Sequence, residues 1–224
     1  MRKNKPGLCN YFPEKTKRGG TALSLTIRKC RDKLFVSTYY LHHMNTDIAP
    51  LLRDVSWDEA IELGSPYPYV LAVTLDKKGK ANIIGLAWWT FVSWQPAMIA
   101  ISIGKDRYSH ECIEYCKEFV LCFPSLEQSQ GAWLCGKKSG RDIDKFQKTG
   151  FISIPSQKVK PPLIKGSTVA YECRVTDSMK AGDHTLYVGT VMAIHGTPEK
   201  KSHLYSIHYR KLIGIDSQGR VTQV

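Results

Sequence analysis

From position 69 onward, short apolar runs alternate with turn residues, a rhythm of strands rather than of long helices. The run 69–75 (YVLAVTL) is β-branched and apolar, Asp76-Lys77-Lys78-Gly79-Lys80 has hairpin-turn chemistry, and 81–87 returns as its partner. After Gln95-Pro96, the run 97–103 (AMIAISI) is too apolar for any but an interior strand. A fourth strand is predicted over 119–123. Two long ones follow over 167–176 and 184–195, joined around Ala181-Gly182-Asp183, and the tail from 204 to 215 adds one more. Helices are short. Ser56-Trp57-Asp58-Glu59 has the form of a capping box for a helix ending near Leu63, and Ser109 suits the N-cap of a helix over 110–117. Residues 126–150 read as short helices around a Gly-Lys-Lys-Ser-Gly-Arg loop, and 155–162 as a Pro-rich connector. Many antiparallel strands with a few inserted helices predict a mainly β fold, a small closed or nearly closed barrel.

Residues 1–43 show no sustained period. The piece 34–41 (LFVSTYYL) has strand composition without an evident partner, so 1–43 is expected to be a basic extension outside the fold and 44–224 the domain, with Met44 a second candidate start. Charge supports the division. The 224 residues carry a net charge of +12, of which 1–43 supply +8 from ten Lys/Arg and two Asp/Glu. The body is left with +4, which argues against a nucleic-acid surface there; a basic arm touching nucleic acid or an acidic partner is the alternative for the extension. No run has the length and apolarity of a membrane span. Seven cysteines, an odd number without a secretory signal, suggest reduced thiols in the cytoplasm.

Candidate chemistry concentrates between Asn82 and Glu111, which hold three of the five tryptophans. The turn Lys105-Asp106-Arg107-Tyr108-Ser109 offers amides at a helix start, a hydroxyl and a guanidinium, the groups a phosphate needs. Taken alone, it equally describes a surface turn with an N-cap serine. Trp88 and Trp89, adjacent in a strand, must point to opposite faces, one inward and one toward a groove or an interface. The loop Cys135 to Lys145 lacks Walker spacing, so it is no P-loop, but it could sit over a site. Cys135 itself is open between a redox thiol and a buried structural one. His184, after Gly182-Asp183, is open between a ligand contact and a turn terminator. Neither zinc-finger spacing nor a nucleophile elbow is present.

Taken in order, Pro66-Tyr-Pro-Tyr-Val-Leu-Ala-Val-Thr74, Lys80-Ala-Asn82, Ala87-Trp88, Pro96, Arg107-Tyr108-Ser109, Cys135-Gly136, Ser139-Gly-Arg-Asp-Ile-Asp-Lys-Phe146, Lys160-Pro-Pro-Leu-Ile164, Glu172-Cys173 and Gly182-Asp-His184 through Gly189 resemble the flavin reductase-like, FMN-binding split-barrel proteins. The likeness runs from about Ser56 to Gly214 and is greatest to the flavoredoxin and ferric-reductase branch. It implies a six-stranded antiparallel Greek-key barrel, a homodimer, FMN at the dimer interface and NAD(P)H as electron donor. By position, Lys105, Arg107, Tyr108 and Ser109 would serve the FMN phosphate. Asn82, Leu86, Ala87, Trp88, Trp89 and Thr90 would lie along the ring and ribityl, on a strand continuing to Thr90. Ser139, Gly140, Arg141, Asp144 and Lys145 would close over the cofactor, and His184 would face the nicotinamide. The chain departs from the pattern at Trp89, where small residues are common, and at Gln95-Pro96-Ala97 in place of an acidic-Pro-Pro turn. The resemblance implies hydride transfer to flavin, with a small acceptor or a redox protein downstream. That chemistry is the cofactor's own, so an acid–base dyad is not required. The alternatives are a flavoredoxin-type carrier without NAD(P)H turnover and a non-catalytic flavin-binding protein.

Overall fold

In the computed structural model the described residues are 52–199 and 202–224, together with three strands of the N-terminal region. The chain divides into two units, Met1–Asp54 and Val55–Val224. The expected boundary near 43 lies outside the described residues. In the first unit Glu14–Thr16, Leu23–Cys30 and Lys33–Tyr39 form an antiparallel sheet with Leu23–Cys30 in the middle. The strand foreseen at 34–41 therefore has a partner. Leu23, Leu25 and Ile27 alternate with Ser24 and Thr26, a period-two signal in the preceding segment.

The second unit is built on an antiparallel sheet with the order Ala81–Leu86, Val70–Leu75, Glu118–Phe123, Val169–Ala181, His184–Gly196, Ala97–Gly104 and Trp89–Trp94. The two edge strands are consecutive in sequence, separated only by Ala87 and Trp88. Counted as one bent strand, 81–94 pairs with 70–75 through its first half and with 97–104 through its second. Six strands then close into the expected barrel. The bond from Ser102 N–H to the Trp88 carbonyl, 2.9 Å, carries the ladder past the bend. The strand expected to run unbroken to Thr90 is thus interrupted at Ala87-Trp88.

Burial follows the pleat. Val70, Ala72, Phe119 and Leu121 point into the barrel with Ile99, Ile101, Ile103 and Tyr187. Leu71, Val73, Val120 and Cys122 point outward, under the helix Ser129–Lys137 and the hairpin His203–Ile207/Lys211–Ile215. Strands covered on both faces explain the continuous apolar runs. Each fully buried aliphatic side chain contributes roughly 1.5–3 kcal/mol, so these two layers dominate the stability.

The helix Trp57–Leu63 forms as predicted, its cap Ser56 Oγ accepting from Glu59 N–H at 3.2 Å. At the next helix the cap differs from expectation. Tyr108–Cys116 begins two residues earlier, with Arg107 at the N-cap and Ser109 inside the first turn. The tail holds two strands rather than one, and Val221–Gln223 extends that sheet. The Pro-rich connector is tied down by Glu172, which has no exposed surface. Its carboxylate accepts from the amides of Gln157, Lys158 and Val159 and from His195 Nε2. Burial alone would raise its pKa, but these donors hold it below the ordinary carboxylate value.

Candidate functional site

At the bend, the sheet opens onto a cleft of two adjoining cavities. One, of about 350 Å³, is lined by Ile84–Trp88, Ser102–Gly104, Arg107, Trp133, His184, Ser206 and Tyr209, among others. The other, of about 380 Å³, is lined by the turn 106–109 and the loop 135–142 with Lys145. Ile84, Arg107, Gly136 and Lys137 border both. One end is aromatic and the other polar.

The aromatic end rests on Trp88. Its ring lies against His184, centroids 4.8 Å apart, and its Nε1–H donates to Tyr209 Oη at 2.7 Å. His184 stands opposite Gly104 in the strand register, and its Nδ1 is 2.7 Å from Asp183 Oδ1. A carboxylate partner makes Nδ1 the protonated nitrogen, which leaves Nε2 for other contacts. That hydrogen bond is also the main reason the Asp183 carboxyl sits below its ordinary pKa. The cavity floor is backbone. A Cβ on Gly85 or Gly136 would run into the Tyr69 hydroxyl, so both positions require glycine for close approach.

The polar end is framed by Arg107, Lys137, Lys138, Arg141 and Lys145, against only Asp106 and Asp142. Much of this charge already has partners. Arg141 pairs with Glu111, donates to the Asp106 carbonyl at 3.3 Å and lies over the Tyr108 ring. Lys145 is 5% exposed, and its ammonium donates to the carbonyls of Ile83 (2.6 Å) and Cys135 (2.8 Å). Burial lowers its pKa. Arg107, largely exposed, touches only its neighbour Asp106 at 3.4 Å. Tyr108 donates to Asp76 Oδ2 at 3.0 Å; burial and that carboxylate push its hydroxyl up to about 12. Ser139 Oγ accepts from Arg141 N–H, and a side chain at Gly140 would strike Asn82 Oδ1. Asn82 Nδ2 donates to the buried Ser109 Oγ at 2.7 Å, while its Oδ1 is buried without a hydrogen-bond partner.

Of the residues expected along the cleft, Leu86, Ala87, Trp88, Arg107, Tyr108, Ser109, Ser139, Gly140, Arg141, Lys145 and His184 line it. Asn82 lies against its Gly140 wall. Four do not line it. Trp89 faces away, packed edge-on against Phe91 and Phe123 with its Nε1–H bonded to the Pro68 carbonyl, because strand neighbours take opposite faces. Thr90, past the bend, bonds the Phe91 carbonyl. Lys105 turns to the Gly182 carbonyl at 2.5 Å. Asp144 caps the helix Lys145–Thr149 and pairs with Lys80 at 3.2 Å. Cys135 is buried, and burial pushes its thiol up to about 12, so it is a structural thiol.

Several lining residues carried no signal in the sequence. Trp133, Ser206 and Tyr209 reach the cleft from elements distant in the chain. Only Gly85 and Gly136, glycines at a strand and a helix, could have marked a close approach.

The geometry can be set beside known proteins. A protein of Archaeoglobus fulgidus is 36% identical over 133 residues, covering 58% of this chain and 75% of its own. A Pseudomonas putida flavin reductase is 28% identical, covering 68% of this chain and 86% of that one. Among solved structures, the flavoredoxin of Methanosarcina acetivorans superposes with a TM-score of 0.57 at 25% identity, over 71% of this chain and 85% of that one. Residues 63–212 match the flavin reductase like domain. With more than half its length matched and the barrel in place, this chain belongs to the flavin reductase-like family.

Proposed function

We propose that this protein is an FMN-dependent oxidoreductase that takes electrons from NAD(P)H or a reduced protein and passes them to flavin, a ferric chelate or another small acceptor. The observation that carries this is the cleft itself: an aromatic cavity joined, through Arg107 and Ile84, to a cationic one. A flavin nucleotide has the same two ends. The residues fit it on a second count, because the buried Asn82 Oδ1 is an unpartnered acceptor against the Gly140 wall of the polar end.

When bound, the flavin supplies the hydride and electron transfer. The chain's own residues bind and orient. Arg107, uncommitted beyond its neighbour, grips the phosphate with two donors, aided by the amides of the first turn of the 108–116 helix. Trp88, pinned by Tyr209, forms a wall for the ring. His184, oriented by Asp183, lies against Trp88 with Gly104 opposite, and it lines the cavity in which a donor would stack. Arg141 and the 138–142 loop border the polar end, where they would flank the phosphate.

A homodimer belongs to this reading. Phe91, Trp94, Met192 and Ile194 are large exposed apolar side chains. Phe91 contacts Tyr171, whose register partner is Ile194, so part of this surface is contiguous. A second copy covers it; a monomer in analytical ultracentrifugation at micromolar concentration would remove that part. Among the described residues no helix is long and apolar enough to cross a membrane, and five thiols are unpaired, which suits a reducing cytoplasm.

The deciding experiment is a visible-spectrum titration of purified protein with FMN, followed by anaerobic NADH and NADPH. Bound-flavin absorption that bleaches with either nucleotide is the expected result. Bound flavin bleached only by dithionite would make the protein a carrier or a non-catalytic binder. Protein that stays apo at saturating FMN would end the flavin reading.

A further inference from the structure

The aromatic cavity holds donors that neither the barrel nor a phosphate grip uses. Ser206 is 1% exposed, lines the cavity, and its Oγ has no hydrogen-bond partner. A buried orphan hydroxyl costs roughly 1–3 kcal/mol, so its persistence against a cavity points to an absent partner. Tyr209, three residues on, accepts from Trp88 Nε1–H, which leaves its own O–H free to donate. Lys137, also lining the cavity, has its ammonium 3.5 Å from the Tyr209 carbonyl and over the Trp133 ring at 4.5 Å. These three are donors.

The backbone that presents Tyr209 is unusual. His208 and Tyr209 both have positive φ, 50° and 53°, and Arg210 N–H closes the turn on the Ile207 carbonyl at 2.9 Å. A turn with two central residues at positive φ normally takes Asn and Gly, and bulky side chains there carry strain. The turn is held from outside the hairpin. Tyr67 stacks on the Tyr209 ring at 5.5 Å, Arg210 pairs with Glu62 at 2.6 Å, and His208 N–H donates to Ser65 Oγ at 3.0 Å. The region before the barrel thus clamps a strained turn whose inner face enters the cleft.

We propose that Ser206, Tyr209 and Lys137 form a subsite for the carbonyl edge of a planar heteroaromatic ring. The assignment rests on the flavin reading above. It takes either the dione edge of the resident flavin or that of a diffusible ring acceptor.

The test uses the full chain and four probes. Lumiflavin carries the carbonyl edge without ribityl or phosphate, and phenazine is a fused tricycle without carbonyls. FMN and riboflavin, the latter as acceptor in turnover, separate the two sources. Ser206→Ala should weaken lumiflavin binding about fivefold, the worth of one hydrogen bond, and leave phenazine binding unchanged, while Tyr209→Phe, which also takes the acceptor from the Trp88 indole, should weaken lumiflavin binding more than phenazine binding. FMN affinity falling alongside assigns the edge to the resident ring. FMN affinity holding while the riboflavin KM rises assigns it to an acceptor. Ser206→Ala removes only an unpartnered hydroxyl, so the ligand-free variant should melt no lower than wild type, which separates binding from folding. Unchanged lumiflavin binding and riboflavin KM, or equal losses for lumiflavin and phenazine, would overturn the subsite alone. Wild-type protein that binds neither FMN nor lumiflavin would overturn the flavin reading and the subsite with it.

Discussion

The two ends of the cleft are built on opposite plans. At the polar end most functional-looking side chains are already engaged by the protein: Lys145 by two carbonyls, Arg141 by Glu111, Tyr108 by Asp76. At the aromatic end the donors Ser206 and Tyr209 have hydrogens to spare. Residue type alone therefore misleads about which groups meet a ligand. A lysine beside a cationic cavity can be a staple, and a serine on a remote hairpin can be left with a free hydroxyl.

The sharpest way to break this contrast is Lys145→Met. If Lys145 is a staple, the variant loses about 3 kcal/mol of stability, because two buried carbonyls lose a charged donor. Urea denaturation reads this directly. Full stability with lost FMN affinity would make Lys145 a ligand contact instead. Next in size, Arg107→Ala should weaken FMN binding by about 2 kcal/mol, roughly thirtyfold, and leave lumiflavin binding untouched. Equal losses for the two would mean that Arg107 does not act through the phosphate. His184→Ala should slow reduction by NAD(P)H about tenfold with FMN affinity preserved, through loss of donor positioning. Stopped-flow rates equal to wild type would remove His184 from the site. The smallest effect is expected from Glu111→Gln. Its pair with Arg141 is exposed, so stability should change by less than about 1 kcal/mol, while FMN release quickens as the loop loosens. An unchanged release rate would show that the pair does not hold the loop.

How much of this was legible in the sequence differs between the two ends for a physical reason. The polar end is local. Arg107, Tyr108 and Ser109 adjoin one another at a helix start, and Ser139-Gly140-Arg141 is a single loop, so adjacency in sequence became adjacency in space. Even there, the cap fell on Arg107 rather than Ser109, whose Oγ accepts instead from Asn82 inside the first turn. The aromatic end is assembled from Tyr69, strands 81–86, 97–104 and 184–196, the helix 129–137 and the C-terminal hairpin, and no short window contains it. The parity of Trp88 and Trp89 was readable from the strand period. Which of them met the cleft depended on a bend that neither residue announces. Likewise, a charged residue such as Lys145 reads as exposed, and only the carbonyls around it show otherwise.

The bend at Ala87-Trp88 also sets a limit on how this protein can be improved. A barrel is hardest to unzip when its strands are continuous, and here the strand 81–94 is interrupted where the cleft opens. Substitutions that straighten 86–89, or fill the cavity beside Trp88, would add contacts and raise the melting temperature. The same substitutions would occupy the volume a ring must enter. Thermostability is therefore better sought around the Glu172-anchored connector, whose residues line neither cavity of the cleft.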